Sequence, residues 1–277
     1  MTTPSKPSKP MAYYDIAMRQ PIESNCCSPN PWKGRLALNF KNLDYSTTWV
    51  HLPDIAKVRR DLGLEACRKF SDGTEFYTLP ILIDPNTDSK IGDSFDIAVH
   101  LQNNYPDAGS GNLFPPQQLD FVYEHNPLVP LSEQRESEYE EYARFNTNVD
   151  AAFTAHILLW VHRMPFDPAT ADACKAIFLQ RAGAKSWDDF EVKGELRATL
   201  KESLRAMLGN LSKLFLKDTS GPFLLGEQAS YADLIVGAWL RMMSTLLPED
   251  EWAEVRSWHE GVFGRLHDAL EKYSKVK

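Results

Sequence analysis

Cysteine is scarce in this 277-residue chain: Cys26, Cys27, Cys67 and Cys174 are all there are, and none falls into a CxxC or CxxH spacing. A cysteine-based metal site is therefore excluded, and adjacent Cys26 and Cys27 cannot frame an ordinary structural disulfide. Free thiols of this kind suit a reducing compartment. No apolar stretch reaches the roughly 18 residues needed to span a bilayer, since the best run, Ala151 to Val161, is broken by Thr154 and His156. The first ten residues carry charge and three prolines but no apolar h-region, so nothing there reads as a secretory signal and the expected compartment is the cytoplasm. A basic excess is also missing. Thirty Lys and Arg stand against thirty-eight Asp and Glu, a net charge of −8 that opposes nucleic-acid binding without a segregated basic patch. The seven histidines show no metal-ligand spacing, so no metal is expected.

What is present is a 43% apolar composition, enough for a proper core, in a length that suggests about two domains. Residues 1–10 read as an unpacked tail. Met11 to Ile16 is a β-like run, and Trp32, Leu36, Phe40 and Leu43 then recur at one helical face behind Ser28 at an N-cap position and Pro29 at N1. Tyr45 to Val50 reads as a second strand, and Pro53 to Leu62 as a short helix. Phe76 to Asp84 contains a strand broken by Pro80, with Lys90 to Gly92 as its pair. Asp93-Ser94 precedes Phe95, Ile97, Ala98 and Leu101, which predicts a helix capped by Ser94 and ending before Pro106. The order is β-α-β-α-β-β-α over residues 11–106.

Five prolines and a Gly-Ser-Gly between Pro106 and Pro130 mark residues 107–131 as a connection. Residues 132–277 then read as all-helical. Tyr142, Phe145, Val149, Phe153, Ile157 and Trp160 predict one long helix from Glu133 to Met164, and Leu196 to Phe215 predict another. Ser230 and Asp233 form a capping box ahead of a buried central helix, and a last helix is expected over Trp252 to Tyr273.

A β-α-β-α-β-β-α unit with Leu79-Pro80 in its third strand and Asp93-Ser94 at its last helix, followed by helices behind Ser230, resembles the glutathione transferase superfamily over about residues 11–275. The segment Ser28-Pro-Asn-Pro-Trp-Lys-Gly-Arg-Leu-Ala-Leu38 is similar to the serine-type, etherase-related fungal FuA class. The resemblance implies an α+β thioredoxin-like N-terminal domain and an all-α C-terminal domain. It also implies glutathione as cofactor, an apolar aromatic electrophile, and a homodimer.

On the residues alone, Ser28 caps its own helix; with the resemblance it becomes the catalytic residue, donating to the glutathione sulfur at a helix start that favours thiolate over thiol. Cys26 or Cys27 is the competing nucleophile, in a cysteine-type thiol transfer. The resemblance makes Leu79-Pro80 a cis peptide whose Leu79 backbone pairs with the cysteinyl part of glutathione, against an ordinary trans proline at an edge strand. It gives Asp93 and Ser94 to the γ-glutamyl end, though the Asp side chain is shorter than the Glu common in the family. Lys41, with Lys33 and Arg35 beside it, is offered to the glycyl carboxylate, against a plain solvated helix face. Phe145 and Phe153 are offered to the acceptor site between the domains, against ordinary core aromatics. Conjugation and aryl-ether cleavage both fit such a site, and so does a ligandin that stores apolar phenolics.

Overall fold

A computed structural model of the chain describes residues 9–70, 72–124, 131–132 and 136–277. Residues 1–8 of the expected tail, 125–130 of the expected connection and 133–135 of the expected long helix lie outside these. The first part is a thioredoxin-like α/β unit. Its four-stranded sheet has β1 (Met11–Ile16), β2 (Tyr45–Val50), β5 (Ile81–Asp84) and β6 (Ser89–Ile91) in the order β2-β1-β5-β6. β1 runs parallel to β2, with Met11 opposite Tyr45, and antiparallel to β5, with Ala12 opposite Ile83. The helices are a four-residue α1 (Ile22–Asn25), α2 (Pro29–Phe40), α3 (Ile55–Asp61) and α4 (Ser94–Asn104). Two additions lay outside the predicted order: α1, and a small hairpin of β3 (Arg68–Lys69) and β4 (Glu75–Phe76).

α2 packs against β1, α4 and the helical domain, so it is buried all round rather than amphipathic. Gly34 makes this possible: a Cβ there would sit 2.5 Å from the Tyr13 hydroxyl. Burying the helix also buries its cations, which the expectation of a solvated face missed. Arg35 pairs with Asp15 at 2.6 Å, both almost fully enclosed, and lies over the ring of Trp49. Lys33 donates to Asp150 Oδ1 (2.6 Å), Asn146 Oδ1 (2.7 Å) and Asn30 Oδ1 (2.9 Å), while Trp239 Nε1 donates to the same Asp150 oxygen. Burial pulls the Lys33 ammonium below its ordinary pKa, and Asp150 opposes that shift.

The helical part comprises α5 (Glu140–Thr154), α6 (Ala171–Ala182), α7 (Gly194–Phe215), α8 (Tyr231–Leu246) and α9 (Glu249–Leu270). The long helix predicted to Met164 stops ten residues early. The His156 ring donates to Ala152 O at 2.8 Å, the carbonyl the next turn needs, so the His156 N–H turns to Phe153 O. Short 3-10 turns at Ile157–Leu159 and Val161–Arg163 follow. α9 is likewise interrupted at Trp258–Gly261, where His259 and Glu260 have φ of 49° and 61°. α8 is the buried centre, held at its start by Asp233, which accepts from the Ser230 N–H (2.7 Å), the Ser230 hydroxyl (2.8 Å) and the Leu224 N–H (2.8 Å). No helix among the described residues is long and apolar enough to cross a membrane.

Candidate active site

α2 begins immediately after Ser28, which is extended at φ −65° and ψ 127° and makes no side-chain capping bond. Pro29 and Pro31 have no N–H, and the Trp32 N–H goes to Ser28 O at 3.1 Å. Asn30 therefore supplies the one first-turn N–H without a protein partner among the described residues, fewer than an ordinary helix start offers. The loop ahead of Ser28 is fixed by Trp32 Nε1 donating to Cys26 O at 2.7 Å, and the start of α2 by Asn30 Nδ2 donating to Leu131 O at 2.7 Å.

Ser28 borders a cavity of about 500 Å³ between the sheet domain and the helices. Ile16 and Met18 line it from the end of β1, Phe76 from β4, Thr78 from the loop before β5, and Ile157, Leu158, Val161, Met164 and Phe166 from the irregular segment after α5. α6 supplies Cys174, Phe178 and Arg181. The early end of α5 is thus what turns apolar side chains towards the cavity. α6 was missed in the sequence, although Cys174 and Phe178 stand one turn apart and Gly183, with φ 65°, closes the helix in the left-handed conformation.

The Leu79-Pro80 peptide is cis, and so is Gln20-Pro21. Among the described residues the Leu79 N–H has no protein hydrogen-bond partner. Arg59 ties this turn to the start of α4, with Nη1 donating to Thr78 O (3.0 Å) and to Gly92 O (2.9 Å). The cap of α4 is Asp93 rather than Ser94. Asp93 Oδ1 accepts from the Phe95 N–H (2.8 Å), which leaves Ser94 as the first helical residue, and its Oδ2 accepts from Arg68 Nη2 (2.8 Å). The Ser94 carbonyl accepts from the Tyr231 hydroxyl at 3.0 Å, joining this helix start to α8. Arg59 and Arg68 had no signal in the sequence, because a cation whose partners are carbonyls or a carboxylate up to some thirty residues away shows no local pattern.

Three other expected site residues lie elsewhere. Lys41 is at the opposite end of α2, roughly 18 Å of helix from Ser28, and its Nζ donates to Pro106 O (2.9 Å) and Gly111 O (2.6 Å). Burial lowers its pKa to about 8. It anchors the connection between the domains and is not free for a ligand carboxylate. Phe145 and Phe153 are fully buried and absent from the cavity wall; Phe145 packs on Phe121, and Phe153 stacks on Trp239 at 5.2 Å between centroids. Helical spacing put them on the inner face, and that face meets α8 rather than the cavity. Cys26 and Cys27 are buried too. Desolvation, with Asp15 adding to it, pushes Cys26 up to about 12, and burial raises Cys27 further.

The family model described as glutathione S-transferase, N-terminal domain, matches residues 27–104, and the glutathione S-transferase, C-terminal domain, model matches residues 142–273. The glutathione S-transferase-like protein ustS of Aspergillus flavus is 26% identical, over 94% of this chain and 89% of that protein. A glutathione S-transferase of Ceriporiopsis subvermispora, solved in complex with glutathione, has a TM-score of 0.79 at 28% identity and covers 97% of this chain and 99% of that one. Glutathione transferase GSTFuA3 of Phanerochaete chrysosporium superposes with a TM-score of 0.77 at 25% identity, over 97% and 99% of the two chains. The FuA resemblance seen in the segment after Ser28 is met in these solved structures. With both domain models matched in chain order on a thioredoxin-like unit and the helices that follow it, the chain belongs to the glutathione S-transferase family.

Proposed function

We propose that the chain is a serine-type glutathione transferase that lowers the pKa of the glutathione thiol at Ser28 and delivers the thiolate to an apolar aromatic electrophile in the adjoining cavity. The observation that carries this reading is a serine at a helix start whose hydroxyl caps nothing and borders a largely apolar cavity. The residues fit the tripeptide in outline. Leu79 offers an unpaired N–H in an extended turn, Ser94 and its N–H stand at the start of α4, and Asp93 supplies a carboxylate there. Because Asp93 is already held by Arg68 and by its own helix, its part is to bring negative charge near the ligand ammonium, and Ser94 takes the carboxylate.

The Ser28 hydroxyl donates to the sulfur, the thiol proton leaves to solvent, and the helix start favours the anion. The sulfur pair then forms the C–S bond while the leaving group departs with its electrons, an aryl oxide in the case of an aryl ether. A thiolate stabilised by about two pKa units gains roughly 2.7 kcal/mol. The buried, high-pKa thiols of Cys26 and Cys27 favour this over a cysteine-type transfer. Storage of apolar phenolics with little turnover uses the same cavity, and is separated by measuring product alongside ligand displacement. Family resemblance supports a homodimer, so sedimentation should give a mass near twice 31.5 kDa; a species of 31.5 kDa would refute it.

The direct test is Ser28→Ala. Retention on glutathione-agarose should persist while turnover with aromatic electrophiles falls roughly 10–1000-fold. A variant as fast as the native protein would remove Ser28 from the mechanism.

A further inference from the structure

The acceptor cavity holds one cation in a place where the fold gives it no counter-charge. Arg181 lies in the last turn of α6, partly buried, and its guanidinium sits over the Phe76 ring of the β3–β4 hairpin at 4.7 Å. It therefore reaches from the helical domain across to the sheet domain, beside Thr78 and the turn that holds Leu79. Among the described residues it makes no ion pair and no hydrogen bond. Asp189 also borders the cavity, but its Oδ2 accepts from the Lys185 and Ser186 N–H groups, both at 2.9 Å, and it stands beyond ion-pair distance of Arg181.

This differs from the fully buried arginines. Arg35 has Asp15, Arg68 has Asp93, and Arg59 has three carbonyls. A guanidinium taken partly out of water without such partners is costly, and its five donors are aimed in a planar fork that matches an oxyanion. Burial lowers Arg181 to about 10, so it stays protonated at pH 7. Apolar walls around it weaken screening and strengthen its field inside the cavity. In a cavity otherwise bounded by Ile157, Leu158, Val161, Met164 and Phe178, one such group orients what enters.

We infer that Arg181 selects acceptor molecules that carry an anionic group, a carboxylate or sulfonate on an aromatic frame, by binding that group while the rings occupy the apolar wall. This rests on the reading of the cavity as the acceptor site, and it specifies the substrate class as aromatics whose apolar frame also carries an anionic group. The ring of Phe76, 4.7 Å from the guanidinium carbon, holds the charge at the cavity wall by a cation–π contact, which leaves the N–H donors to the oxyanion.

Two probes with nearly the same skeleton test it without any turnover: 8-anilinonaphthalene-1-sulfonate, which is anionic, and N-phenyl-1-naphthylamine, which is neutral. Fluorescence titration of the native protein, Arg181→Met and Arg181→Lys should show the sulfonate losing at least about 10-fold in affinity in R181M, as expected for a lost charge-assisted pair. The neutral amine should change by less than about 2-fold, and R181K should fall between, since Lys keeps the charge without the fork. Equal losses for both probes would mean that Arg181 only shapes the wall, and an unchanged sulfonate would likewise overturn the inference. Glutathione affinity, measured in parallel by calorimetry, decides the source of the oxyanion: a loss of glutathione binding with sulfonate binding intact would give Arg181 to the glycyl carboxylate and overturn it too. Should R181M fail to fold, Arg181→Gln carries the same comparison. Failure of the native protein to bind glutathione would sink the transferase reading while leaving the probe pair to decide this one.

Discussion

A thiol enclosed by apolar side chains and facing a carboxylate is a poor nucleophile, since both the burial and the negative neighbour hold its proton on. With its pKa at about 12, Cys26 is thiolate in roughly one molecule in 10⁵ at pH 7, and Cys27 in fewer. Iodoacetamide at pH 7 should therefore modify either residue at least about 1000-fold more slowly than free cysteine, read by peptide mass spectrometry. Rapid labelling of Cys26 with parallel loss of conjugation would return the chemistry to the cysteines. At this scale the sequence was legible where a residue's role depends on its immediate neighbours. Ser28 is readable as a cap position because Pro29 belongs at N1. Lys41, Phe145 and Phe153 were not readable, because their surroundings come from Pro106, Gly111, Phe121 and Trp239, more than twenty residues away in each case.

Among the elements, α8 is the one on which both domains converge, and its start depends on a carboxyl with no exposure to solvent. Burial pushes Asp233 up to about 6, against the hydrogen bonds from Leu224 and Ser230 that draw it down. A raised pKa means that the folded chain holds this proton more tightly than the unfolded chain. The contribution is therefore fully present below about pH 4 and is lost as pH rises through about 6, amounting to about 3 kcal/mol in all. Comparison with Asp233→Asn isolates it: the stability difference, native minus variant, should shrink by up to that amount between pH 4 and pH 7 in urea melts. A difference that grows over the same interval would show the carboxylate to be the favoured form. The Ser230–Asp233 box was visible in the sequence because its spacing is local. The early stop of α5 was hidden, since apolar residues keep helical spacing through Trp160 while the His156 ring takes the Ala152 carbonyl.

In the molecule as a whole, the early stop of α5, the placing of α6 and the burial of α2 together leave one large apolar space beside the first turn of α2. The domain order and the sheet were readable from strand and helix periods, with β1 and β2 falling on the residues expected of them. The cavity was not, because its wall is assembled from segments that have little regular structure or that meet only across the domain boundary. If that space presents an electrophile to a thiolate made at Ser28, the decisive quantity is the pKa of the bound glutathione thiol. Titration of the thiolate absorbance in the binary complex should give a midpoint about two units below the free value of ~8.5, and Ser28→Ala should return it most of the way at nearly unchanged glutathione affinity. The same depressed midpoint in both proteins, or no depression in the native one, would contradict the assignment of Ser28.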